Sequence, residues 1–100
     1  MGACQRIPFK GATGTNDGTV VSTAIPAGTT CVMLAMTAAG FCSITAGADS
    51  SISASDAGAI AADQLYEFCL NRNRLSDGTG ALTHVNVVAA SGDYHIAFCK

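Results

Sequence analysis

The side chains best suited to metal or nucleophilic chemistry in this 100-residue chain are two histidines, His84 and His95, and five cysteines. Both histidines lie in the closing stretch 82–99, LTHVNVVAASGDYHIAFC, which ends in Cys99. If Ser91-Gly92 is a two-residue hairpin turn, His84 stands opposite Cys99 and His95 opposite Val88, on the less apolar face. Glu67 and Cys69 have the parity to share that face from a neighbouring strand. A His/Cys pair can begin a zinc site, but zinc usually takes three or four protein ligands. A cysteine nucleophile needs a base and an electropositive pocket to form its thiolate, and no carboxylate is placed to orient His84. A small cysteine or metal hydrolase would rest on His84 and Cys99 alone. These residues therefore read as surface or interface groups, and no catalytic, cofactor-binding or metal-binding residue is assigned.

Other polar patterns have simpler explanations. Asp49, Asp56 and Asp63 recur at intervals of seven residues in a Ser/Ala-rich stretch. That spacing does not match a calcium loop, and Ser/Asp pairs in loops close local turns. Arg72 and Arg74 form the one basic cluster, without interleaved aromatics to stack bases. The string GATGTNDG (11–18) lacks the Gly-Lys-Ser/Thr of a phosphate loop and follows no strand. It reads as part of an irregular arm, with a turn at Asn16-Asp17-Gly18.

These residues must be positioned by strands. In 82–99, Val85, Val87 and Ala89 alternate with polar or smaller residues, and after Ser91-Gly92 the pattern resumes with Tyr94, Ile96 and Phe98. Such alternation places one set on the buried face of a sheet. Gly92 supplies the positive φ a primed turn needs, so the stretch reads as a hairpin. Earlier strands are expected at 19–25 (TVVSTAI), 30–36 (TCVMLAM, with Val32, Leu34 and Met36 inward), 41–46 (FCSITA) and 64–70 (QLYEFCL, with Tyr66, Phe68 and Leu70 inward). Pro26-Ala27-Gly28 is a turn between the first two. The strands 30–36 and 41–46 are most simply a second hairpin, and 47–63 reads as an exposed loop. The expectation is an all-β chain: a small antiparallel sandwich or barrel of about six strands, with an irregular arm over 1–18 and one β domain over 19–100.

Composition narrows the function classes. Hydrophobic residues make up 49% of the chain, but much of that is alanine, and Trp is absent. Charged residues are 12%, with a formal net charge of −2, about half the usual charged share of a soluble domain. Few Lys and Arg argue against nucleic-acid binding. No run of about 18 apolar residues exists, which argues against a membrane span, and the start MGACQRIPFK has no apolar signal region. Five is an odd number of cysteines, so at least one is unpaired in a monomer. All are expected as reduced, small, core or semi-buried groups. A charge-poor surface of Ala, Gly, Ser and Thr suits coverage by partner subunits.

The run IPAGTTCVMLAMTAAGFCSITAGADSSISASDAGAIAADQLYEF, followed by a polar loop and VNVVAASGDYHIAFC, resembles a group of small tailed-bacteriophage virion proteins. The resemblance covers roughly 25–99. It is carried by the entry turn Ala27-Gly28-Thr29, by 44–49 (ITAGAD), by the strand holding Tyr66 and Phe68, and by the stretch 91–98 with its Gly turn. It implies a non-enzymatic structural protein of the head, the head–tail junction or the tail, without catalytic residues. The expected role is a capsid decoration or cement subunit that oligomerises and stabilises the head, with a neck, connector or tail accessory role as the alternative. Its partners would be copies of itself and major capsid or other virion proteins, and its place the virion, assembled in the host bacterial cytoplasm. From another class, a β-sandwich binding a ligand or receptor is the rival, weakened by the absence of Trp and the inward assignment of Tyr66, Phe68, Tyr94 and Phe98.

Overall fold

The computed structural model describes residues 7–48, 52, 57–70 and 82–100. They form eight strands: β1 (Pro8–Thr15), β2 (Val21–Ala24), β3 (Cys31–Met36), β4 (Gly40–Thr45), β5 (Gly58–Ile60), β6 (Leu65–Cys69), β7 (His84–Ala89) and β8 (Asp93–Cys99). Two four-stranded sheets result, ordered β1-β8-β3-β6 and β2-β7-β4-β5, with every neighbouring pair antiparallel. The all-β sandwich expected from alternation is therefore the fold observed. The two orders are those of a jelly roll, the eight-stranded double Greek key used by viral capsid subunits, lectins and cupins.

The core lies between the sheets and comes from the alternating residues. Val32, Leu34, Met36, Ile96 and Phe98 enter from one sheet, and Cys42, Ile60, Val85, Val87 and Ala89 from the other. Tyr66, Phe68 and Tyr94 pack against this cluster partly buried, and Leu70 is buried within it. β-Branched and aromatic residues suit these strands because each fills a pleated surface packed on one side.

Pairing departs from expectation in two places, and the departures decide which residues meet. β7 and β8 belong to different sheets, as do β3 and β4. The stretch 82–99 is thus an arch between sheets and not a hairpin. Gly92 has the positive φ of 82° anticipated for it, but its surroundings are not those of a hairpin turn. The Gly92 carbonyl accepts from Asn16 N–H at 2.7 Å. Asp93 N–H donates to Thr37 Oγ1 at 2.8 Å, and the Asp93 carbonyl accepts from Thr37 N–H at 3.0 Å. The crossing's polar groups are satisfied by two other crossings, β1 to β2 and β3 to β4, stacked beside it.

Two strands lie where none was expected. Residues 8–15, read as part of the irregular arm, form β1 and pair with β8. The short β5, within the expected loop, pairs with β4. The turn at Pro26 is as expected: Gly28 has φ 89°, and Thr29 N–H donates to the Pro26 carbonyl at 3.3 Å.

Candidate functional site

Separation of β7 from β8 dissolves the expected His84–Cys99 pair. His84 lies on β7 and Cys99 on β8, in opposite sheets. The hydrolase reading, which needed them adjacent, loses its geometric basis. His84 Nδ1 instead shares a hydrogen bond with Thr83 Oγ1 at 2.9 Å. Glu67 and Cys69 do reach the outer face of the sheet that holds Cys99 and His95, as their parity required, but without His84. Asp49, Asp56, Arg72 and Arg74 lie outside the described residues.

Three polar arrangements remain. The first is an open groove of about 670 Å³ at the crossing end of the β1-β8-β3-β6 sheet. Asp63, Asp93, His95 and the hydroxyls of Thr13, Thr15 and Thr37 line it, over Tyr94 and Met36. Thr15 Oγ1 donates to Asp93 Oδ1 at 3.2 Å, which orients that carboxylate. Asp63 holds a left-handed φ of 59°, a conformation Asp tolerates better than most residues. Its N–H donates to the Met36 carbonyl at 2.8 Å. Such a groove can exchange hydrogen bonds with a polar group. Among the described residues, no three His, Cys, Asp or Glu side chains gather closely enough to hold a metal ion.

The second arrangement is centred on Asn86, fully buried on the outward side of β7. Ser22 Oγ donates to Asn86 Oδ1 at 2.6 Å. Asn86 Nδ2 donates to Thr45 Oγ1 at 2.9 Å and to Ser43 Oγ at 3.1 Å. Ser22, Asn86 and Ser43 occupy one row across β2, β7 and β4. This network ties three strands together and contains no group that titrates near neutrality.

The third is a row of sulfur. Cys99, Cys31 and Cys69 are register partners across β8, β3 and β6. Cys31, Cys42 and Cys99 carry buried thiols, whereas Cys69 is disulfide-bonded. The expectation of reduced cysteines throughout is corrected at Cys69. Cys42, inside the core, has its thiol pushed up to about 12 by burial, so it remains protonated and inert at neutral pH.

Asp93, Asn86 and the place of Cys31 between Cys69 and Cys99 are not singled out by the sequence. Ser22, Ser43 and Thr45 at outward parity beside Asn86 are the one signal present. Reading it requires knowing that β2 and β4 flank β7.

Against this fold and these surfaces, comparison with known proteins found no matching family model, no matching curated protein and no matching solved structure.

Proposed function

We propose that the chain is a non-enzymatic structural subunit of a bacteriophage particle, a capsid decoration or cement protein that associates with copies of itself and braces the head. One observation carries the reading. Among the described residues, the exposed large hydrophobic ones are Ile7 at 67%, Phe9 at 38% and Leu65 at 65%, and they lie at or beside β1 and β6, the two edge strands of one sheet. Edge strands with exposed apolar side chains favour coverage by another chain. The interior between the sheets is filled with aliphatic and aromatic side chains, leaving the outer surfaces for function. The jelly-roll order, which capsid subunits share with lectins and cupins, adds support by analogy of fold alone. A neck, connector or tail accessory position is the alternative within the same class. A ligand- or receptor-binding sandwich is the second reading, favoured by the groove around Asp63, Asp93 and His95.

Self-association separates the two classes. In sedimentation velocity the chain is expected to form a closed oligomer at micromolar concentration, and Leu65→Lys to shift it toward monomer. A monomer at every concentration, with Leu65→Lys unchanged, would remove the edge-covering role.

A further inference from the structure

The two ends of the β1-β8-β3-β6 sheet carry opposite charge. At one end Ile7 N–H donates to the Lys100 carbonyl at 3.3 Å, and Lys100 N–H to the Ile7 carbonyl at 3.1 Å. The β1–β8 ladder then slips: Pro8 pairs with Cys99 and Lys10 with Phe98, which leaves Phe9 as the bulged residue. A bulge re-aims the side chain it carries. Phe9 is exposed, and Lys100 Nζ lies 4.7 Å from its ring centroid. Ile7, Lys10 and Lys100 are exposed beside it. The result is a knob of aliphatic and aromatic surface bearing two cations.

The groove lies at the other end of the same sheet. Register places Thr13, His95, Ala35 and Leu65 in one row across β1, β8, β3 and β6, and all four line the groove. Ala35 is the smallest of them, so the row dips between His95 and Leu65. Asp93 and Asp63 precede those two residues on the crossing side and line the groove as well. Thr15 Oγ1 donates to Asp93 Oδ1 at 3.2 Å, which holds that carboxylate in place. No Lys or Arg is among the lining residues, so the two carboxylates are not balanced within the groove. β8 spans seven residues between knob and groove, about 20 Å of strand. The knob of one copy therefore cannot fill its own groove.

We propose that the groove is the docking site for the knob of a second copy of this chain. Ile7 and Phe9 of one copy lie over Ala35 against Leu65 of the next, and Lys10 and Lys100 meet Asp63 and Asp93. The proposal rests on the self-association reading and names the surfaces that join. Exposed ion pairs contribute little singly, so the apolar contact supplies most of the affinity. The charges set orientation and keep like ends apart. Because the joined surfaces differ, the contact is heterologous, and repeated about an axis it closes a ring.

The test is zero-length carbodiimide cross-linking of the full wild-type chain. Unlabelled and isotope-labelled protein are mixed while dissociated by dilution, then concentrated and cross-linked. Mass spectrometry is expected to find mixed-label amide links from Lys10 or Lys100 to Asp63 or Asp93. Two charge-reversed chains complete it, one carrying Asp63→Lys with Asp93→Lys, the other Lys10→Glu with Lys100→Glu. Each alone is expected to sediment as a monomer at concentrations where wild type associates, and an equimolar mixture of the two to regain association. Mixed-label links confined to other residues, association that survives either reversal, or folded variants that stay monomeric when mixed would overturn the knob and groove and leave self-association standing. A wild-type chain that is monomeric throughout would overturn both. The cross-link map decides the matter even where a variant fails to fold.

Discussion

Asn86 and Asn16 are both buried, at 0% and 3% exposure, yet they stand in opposite situations. The Asn86 amide exchanges hydrogen bonds with Ser22, Ser43 and Thr45. Asn16 Nδ2 has only a 3.8 Å contact to Met36 Sδ, and its Oδ1 has no hydrogen-bond partner. Removing one side of a satisfied buried network strands the groups left behind, at about 1–3 kcal/mol. Asn86→Leu is therefore expected to lower stability by about that much in urea unfolding, and Asn16→Leu by clearly less. Equal losses would mean that the Asn86 network contributes nothing specific. Cys42 yields a pH dependence. Burial raises its thiol from the ordinary 9.0 to about 12, so below pH 9 folded and unfolded chains alike keep the proton. Between pH 9 and about 12 the unfolded chain ionises and the folded one does not. Stability is thus lost as pH rises, with a slope from this group of roughly 1.4 kcal/mol per pH unit. Cys42→Ala is expected to fall less steeply than wild type across that window, although it is less stable at pH 7. Parallel curves would show that the thiol does not couple to folding.

At the scale of elements, the crossings organise the molecule. Gly28 and Gly92 both have positive φ, but a Cβ on Gly28 meets nothing within 4 Å, whereas one on Gly92 lies 2.6 Å from Thr37 Oγ1 and 3.0 Å from Ala38 Cβ. Gly28→Ala is expected to cost about 1 kcal/mol for backbone conformation alone, and Gly92→Ala more, because the stacked β3–β4 crossing must shift. Thermal unfolding of the two variants measures the difference, and equal midpoints would contradict the stacking. A second check is direct. Interproton contacts in NMR are expected between Leu34 and Ile96 and between Val88 and Phe41, the observed register pairs, and no backbone ladder between β7 and β8. A Val88–His95 cross-strand ladder contact would restore the hairpin.

The same crossings explain what the sequence could convey. Alternation in 30–36, 64–70 and 82–99 correctly marks Val32, Leu34, Phe68, Val85 and Ile96 as inward, since an inward residue looks alike in a hairpin and in an arch. Alternation within a strand carries no information on which strand lies beside it, so the partners of β7 and β8 were not legible. Nor was β1: as an edge strand its side chains are largely exposed, and KGATGT has no apolar period to detect. Three-residue β5 is too short to show one. The groove joining Asp63, Asp93 and His95 exists only because separate crossings end together, and no spacing in the chain encodes that.

Taken as a whole molecule, the chain combines a filled jelly-roll interior, few charges and a sheet whose two edges carry exposed apolar residues. That combination supports a subunit whose work is done by its outside, against other subunits. The proposed membership of a phage particle is tested most directly by quantitative mass spectrometry of purified particles released by the host that carries this chain's gene. The decoration role predicts the chain at hundreds of copies per particle, in fixed ratio to the major capsid protein. About a dozen copies or fewer would move it to the neck or tail. Its absence from particles of intact composition would contradict a structural role in the particle.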